Sequence, residues 1–209
     1  MNGIRSLQRA SLLALLIAWS RPVTWSQSQE AKQTQEKDAK AKDQTERELD
    51  VPYWPTPAKV VDKMLELAEV KKGDVVYDLG CGDGRIVVAA AKKYGVKGFG
   101  FDLDPDRVKE SLDNVKKNHV EDLVTIKKAD IFTLDLRDAS VVTLYLYPEL
   151  NVRLMPQLEK LKPGSRIISH DWDMKGAKPN KVVKLRAKSD MGLEREHKIF
   201  LWVVPWEKE

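Results

Sequence analysis

Three glycines in five residues, Gly80, Gly82 and Gly84, follow the apolar run Val75-Val76-Tyr77-Asp78-Leu79 and lead into the amphipathic stretch Arg85 to Tyr94. Closely spaced glycines at a strand-to-helix junction permit a tight turn. They also let backbone approach a ligand that side chains would hold off. A strand, a glycine turn and a helix in that order form the opening unit of a parallel sheet covered by helices. The sequence continues the alternation. Val96 to Leu103 reads as a second strand, Pro105 to Asn118 as a helix, Leu123 to Lys127 and Val141 to Leu146 as further strands, and Pro148 opens a helix running to about Leu161. Lys162-Pro163-Gly164 is a turn before the strand Arg166 to Ser169. Upstream, Thr56-Pro57 reads as an N-cap with proline at the first helical position, and Val60, Val61, Met64, Leu65 and Ala68 mark one helix face ending near Gly73.

The carboxyl end breaks the pattern. Lys181 to Lys188 and Lys198 to Val204 are apolar-alternating strands joined by a polar turn with no helix between them, which reads as a β-hairpin at a sheet edge, with Trp202 and Trp206 as packing residues. The predicted fold is α/β: a doubly wound, mostly parallel seven-stranded sheet with a C-terminal antiparallel hairpin. Its ligand site lies at the carboxyl ends of the strands.

The 209 residues divide unevenly. Arg5 and Arg9 precede the apolar run Ala10 to Trp19, and small residues follow near Thr24, so residues 1–26 read as a signal peptide for export or membrane association. The run is well short of the roughly 20 residues a spanning helix needs. An organelle transit peptide fits the same arginines and serines, and a cytoplasmic protein with an early start codon is a further alternative. Residues 27–50 carry no aromatic residue and one large aliphatic one, Leu49, so they read as a disordered charged linker that can also tether the domain near a membrane. Residues 51–209 form the folded domain. A net charge of +4 with scattered basic residues gives no footprint for a specific nucleic-acid partner. The single cysteine, Cys81, excludes a disulfide framework and a multi-cysteine zinc site. No metal is expected.

The turn also separates cofactor classes. A dinucleotide fingerprint would need a glycine at position 85, where Arg85 stands, and no Lys-Ser/Thr pair follows for a phosphate loop. At the end of the second strand, Asp102 is placed to accept two ribose hydroxyls at once. Asp130 follows the third strand, and an adenine amino group is its natural partner. Each acid alone is also an ordinary turn or cap residue. Together with Asp78, Gly80, Gly82 and Gly84, Asp102 and Asp130 make the chain resemble the class I, seven-strand methyltransferases that use S-adenosylmethionine. That resemblance implies S-adenosylmethionine as cofactor, with the glycine turn against its methionine part, Asp102 on the ribose and Asp130 toward adenine.

The acceptor must be inferred from the rim. No Asn-Pro-Pro-Tyr follows the fourth strand, and Cys81 lies in the cofactor turn, which disfavours adenine-amine and cytosine-carbon methylation of DNA. The segments Val51-Pro52-Tyr53-Trp54-Pro55-Thr56-Pro57, Thr143 to Asn151 and Ser169-His170-Asp171-Trp172-Asp173 resemble the lysine N-methyltransferases related to the mitochondrial enzymes acting on ATP synthase and the adenine nucleotide translocase. The implied acceptor is a protein lysine. Tyr53, Trp54, Tyr147 and Trp172 are candidate substrate-binding residues, whose rings attract an ammonium. Tyr145, Glu149 and Asp171 are the candidate catalytic residues, an acid being able to take up the amine proton. Plainer readings stand beside these: Tyr145 or Tyr147 as strand packing, Glu149 as a helix-dipole residue, and His170 as structural. A small-molecule or RNA acceptor, or cofactor binding without catalysis, are the alternatives.

Overall fold

The computed structural model describes residues 53–209; residues 1–52, with the signal-peptide reading and the linker at 27–50, lie outside the described part. In chain order the elements are α1 (Ala58–Leu67), β1 (Val75–Leu79), α2 (Arg85–Tyr94), β2 (Lys97–Asp102), α3 (Pro105–Lys117), β3 (Val124–Lys128), a 3₁₀ turn (Ile131–Thr133), β4 (Val141–Leu144) and α4 (Pro148–Leu158). They are followed by β5 (Arg166–His170), β6 (Ala177–Lys178), β7 (Lys181–Lys188), β8 (Glu194–Val203) and β9 (Glu207–Lys208).

Seven strands form one sheet in the order β3-β2-β1-β4-β5-β8-β7. The first five run parallel, β8 is antiparallel to β5, and β7 is antiparallel to β8. Strand order reverses between β1 and β4, which opens a crevice at the carboxyl ends of those two strands. The doubly wound sheet and its closing hairpin are thus as the sequence predicts.

Alternation along the strands divides the core into two faces. Val76, Val141, Ile168 and Ile199 pack with the apolar stripes of α1 and α2 on one side. Tyr77, Leu79, Val142, Leu144, Ile167 and Trp202 pack with Leu154 and Leu158 of α4 on the other. Trp202 is fully buried and donates its indole N–H to the Ala177 carbonyl at 2.8 Å, which meets the polar requirement of a buried indole.

Local departures from the sequence reading have identifiable causes. The N-cap of α1 is Pro57, not Thr56, whose hydroxyl is instead drawn to His170. The helix stops at Leu67, six residues before Gly73. There Glu69, at φ +51°, takes the left-handed position of a Schellman ending, with Val70 N–H on the Leu65 carbonyl and Glu69 N–H on that of Glu66. Strand β8 begins at Glu194, not Lys198, because pairing with β7 runs from Lys181↔Leu201 to Lys188↔Glu194 whatever the polarity of the outer residues. Strands β6 and β9 pair with each other as a two-stranded ribbon, unseen in the sequence because each has two residues.

Candidate active site

The crevice is a solvent-open cleft lined by the glycine turn, the tip of β2, the segment Tyr53 to Thr56 and Tyr145. Its floor is the glycine turn. Gly80, Gly82 and Gly84 all adopt positive φ (79°, 55° and 73°), a region that L side chains rarely enter. Space is short as well as backbone freedom: a Cβ at Gly82 would stand 2.5 Å from Tyr53 Cε2, and one at Gly80 would stand 2.9 Å from Leu146 Cδ2. Asp78 is buried beneath the turn and accepts the Thr143 hydroxyl at 2.6 Å. Burial pushes its carboxyl up to about 7, opposed by that bond.

Asp102 ends β2 facing the same cleft. Its Oδ2 accepts the Gly82 N–H at 2.8 Å and its Oδ1 accepts the Asp104 N–H at 3.0 Å. Burial raises its carboxyl, with the backbone donors pulling the other way. Each oxygen retains a lone pair for a ligand hydroxyl. Asp130 does not itself line the cleft, although its neighbours Ala129 and Ile131 do. Its Oδ1 caps the 3₁₀ turn by accepting the Phe132 N–H at 3.0 Å. Cys81 is buried in the turn, and burial raises its thiol well above the ordinary range, so it is no nucleophile.

The strap Tyr53 to Thr56 forms another wall. Tyr53 lies over Gly82 with the Arg107 guanidinium 4.5 Å from its ring centre, and burial, then Asp83, raises its phenol to about 12. Two bonds fix the strap at Thr56. Arg85 Nη1 donates to its carbonyl at 2.9 Å, and its buried hydroxyl lies 3.1 Å from His170 Nδ1. Arg85 also clasps Asp83 and, at 2.9 Å, Asp190 in the β7–β8 turn. The sequence reading has Arg85 as the start of a helix and as the residue that excludes a dinucleotide fingerprint, not as a site residue.

Tyr145 lines the far end of the cleft. Its ring centre is 3.9 Å from that of His170, and its hydroxyl accepts Arg195 Nη2 at 3.3 Å. The same Nη2 donates to Asp171 Oδ2 at 2.5 Å, while Asp171 Oδ1 accepts the Lys198 N–H at 3.0 Å. Burial alone would raise the Asp171 carboxyl; the Arg195 bond and the other partners outweigh it and leave it below the usual range. His170 Nε2 lies 2.8 Å from His197 Nδ1, and both rings are buried. Burial pushes the His170 imidazole down to about 3, so it is neutral at pH 7.

The structure therefore brings Tyr53, Trp54 and Tyr145 to the cleft with Asp78, Gly80, Gly82 and Asp102. Tyr147 and Trp172 form an exposed edge-to-face pair, centres 6.0 Å apart, outside the cleft lining. Glu149 is exposed in the first turn of α4 and also outside it. Arg195 and His197 escaped the sequence reading because they fall in the polar part of β8, taken for a turn. Asn151, noted only within a segment, is fully buried and donates to the Asp173 carbonyl at 3.1 Å, holding the loop after β5.

Residues 78–181 match the profile of the ANTKMT methyltransferase domain. The chain is 44% identical over 156 residues to a protein-lysine N-methyltransferase of Saccharolobus islandicus, covering 74% of this chain and 94% of that protein. It is 31% identical over 136 residues to the adenine nucleotide translocase lysine N-methyltransferase of Mus musculus, covering 65% of this chain and 59% of the mouse protein. Among solved structures, one described as an RNA methyltransferase from Salinibacter ruber in complex with S-adenosyl-L-homocysteine superposes with a TM-score of 0.66 at 45% identity, over 73% of this chain and 95% of that one. The glycine cradle, the carboxylate at the tip of β2 and this level of identity place the chain in the class I S-adenosylmethionine-dependent methyltransferases, in the protein-lysine N-methyltransferase family of the ANTKMT methyltransferase domain.

Proposed function

We propose that this enzyme methylates the side-chain nitrogen of lysine in a protein substrate. The observation that carries the reading is the continuity of one cleft, with Gly80, Gly82 and Asp102 in one part and the aromatic residues Tyr53, Trp54 and Tyr145 in the rest. When bound, S-adenosylmethionine supplies an electrophilic methyl carbon on a sulfonium. Asp102 would accept its ribose hydroxyls, the Gly80 to Gly84 turn would pack on its methionine part, and the segment Ala129 to Ile131 would border its adenine.

The aromatic walls then guide a lysine side chain, whose ammonium is attracted by ring faces and whose methylenes are apolar. Only the neutral amine attacks. The second lone pair of the Tyr145 hydroxyl can accept an amine N–H and so aim the nitrogen lone pair along the cleft. Alignment in a water-poor pocket supplies much of the rate, so no nucleophilic side chain is required. We assign Asp171 to holding Arg195 against Tyr145 in place of proton abstraction, since a carboxyl depressed below its usual range is a poor base. The proton passes to water. Glu149, Tyr147 and Trp172, on the outer surface, fit contacts with the polypeptide around the lysine. An exported or membrane-associated location, expected from residues 1–26, accompanies this reading; fractionation of cells producing the full chain tests it, and recovery in the soluble cytoplasm alone would exclude it.

The test of the reaction is to incubate the full chain with methyl-labelled S-adenosylmethionine and extract of the source cell. Label on protein, with methylated lysine in peptide mass spectra, supports the proposal. Label that is removed by ribonuclease would transfer the function to RNA, the acceptor named for the Salinibacter relative.

A further inference from the structure

A second constellation lies behind Tyr145 and Thr56, outside the cleft lining. His170 ends β5, Asp171 follows it, and His197 stands on the adjacent antiparallel strand β8. Three donor atoms converge there. His170 Nε2 lies 2.8 Å from His197 Nδ1, and Asp171 Oδ2 lies 3.2 Å from the first and 3.4 Å from the second. We propose that His170, Asp171 and His197 bind one divalent transition metal of the zinc class, at a site outside the cleft lining that adjoins it through Asp171 and Arg195.

The distances are those of a ligand set. Zinc bonds of about 2.0–2.2 Å at tetrahedral angles separate ligand atoms by roughly 3.3–3.5 Å. Two of the three separations need almost no change, and the third, at 2.8 Å, needs an opening of about half an ångström. Two imidazoles and one carboxylate are the donor types of a borderline-soft ion, with a fourth position left for water. Both rings are buried, and a buried neutral imidazole is the form that ligates.

The surroundings fit as well. His170 presents its other nitrogen to the Thr56 hydroxyl, and Asp171 presents its other oxygen to the Lys198 N–H, the outer contacts that orient metal ligands. Asp171 holds φ at +61°, an uncommon conformation for a side-chain-bearing residue, and its carboxylate is thereby brought against both histidines. The His197 ring is also held by the Ala187 backbone, while its Nδ1 faces His170 Nε2. Arg195 donates to Asp171 Oδ2, and the second lone pair of that oxygen can take a cation while the Arg195 bond is kept. Binding moves the proton between the two rings to the outer nitrogen of the ring that carries it, so that both ligate as neutral imidazoles. The ion would then rivet β5 to β8 and brace Thr56 and Tyr145 from behind.

The experiment uses the full chain stripped with chelator. Zinc chloride is titrated calorimetrically, and cobalt(II) is added in parallel to read visible absorption. The expected result is one zinc per chain at micromolar or lower dissociation constant, a melting temperature raised by several degrees, and a tetrahedral cobalt spectrum. His197→Gln and Asp171→Ala should each weaken zinc binding by about a hundredfold, so a folding failure in one leaves the other informative. His119→Ala, the only other histidine, should leave binding unchanged. Absence of saturable binding, or equal affinity in wild type and both variants, would overturn the site and leave the histidines as a proton-sharing pair. Neither outcome depends on methyl transfer.

Discussion

Gly82 donates its backbone N–H to Asp102 Oδ2 at 2.8 Å, so the residue placed to hold a ribose also holds the glycine turn in shape. Replacing Asp102 by Ala removes a ligand contact and leaves the Gly82 and Asp104 amides without their acceptor. Affinity for S-adenosylmethionine, measured by calorimetric titration, should fall by at least about tenfold, or 1.4 kcal/mol. Asp102→Asn, which keeps an acceptor for one amide, should lose less.

Gly82→Ala tests the contact between turn and strap. The new methyl meets Tyr53 Cε2 at 2.5 Å, and the positive φ adds a cost of about 1–2 kcal/mol. Tyr53 is 40% exposed and can yield, so the protein should stay folded while cofactor affinity drops. The double variant Tyr53→Ala/Gly82→Ala should lose less than the sum of the single losses, because removing the ring removes the clash.

The buried Asp78 carboxyl sets a pH dependence of stability. Its value in the folded protein, about 7, is above the ordinary 3.8, so the folded state binds the proton more tightly than the unfolded chain. Stability from this group is therefore full below about pH 4 and declines as pH rises to about 7, by at most about 4 kcal/mol at 1.36 kcal/mol per unit. Asp78→Asn still accepts the Thr143 hydroxyl and should flatten that decline. Urea unfolding midpoints at pH 4, 6 and 8 for both proteins would show it.

Tyr145→Phe preserves the ring against His170 and removes the oxygen that meets Arg195. With the amine no longer oriented, kcat should fall by about 10²-fold, the scale of a misaligned reactant. The dissociation constant for S-adenosylmethionine should stay within about twofold. A wild-type kcat in the variant would remove Tyr145 from the site.

The sheet and the cofactor half of the cleft are legible in the sequence because their signals are local. A run such as Val75 to Leu79 followed by Gly80, Gly82 and Gly84 dictates strand, turn and ligand approach within ten residues. Asp102 is legible for the same reason, standing at the end of an apolar run. The far wall of the cleft is long-range. Thr56 meets His170 across 114 positions, and Arg195 meets Tyr145 across 50. Spacing within any one segment cannot reveal such pairs. Thr56 carries the local signature of an N-cap and is claimed by a distant imidazole. Arg195 and His197 sit in a stretch whose polarity suggests a turn, although strand pairing with β7 extends through it.

The place of β8 between β5 and β7 also has a consequence for synthesis. A nascent chain emerges amino end first, so β1 to β5 are available before the strand that covers the outer edge of β5 exists. Until Glu194–Val203 leaves the ribosome, that edge offers unpaired backbone groups to any neighbouring strand. Arg195 and His197 arrive only with this last large strand. The polypeptide thus holds Tyr53, the glycine turn and Tyr145 well before it gains the arginine that meets the Tyr145 hydroxyl.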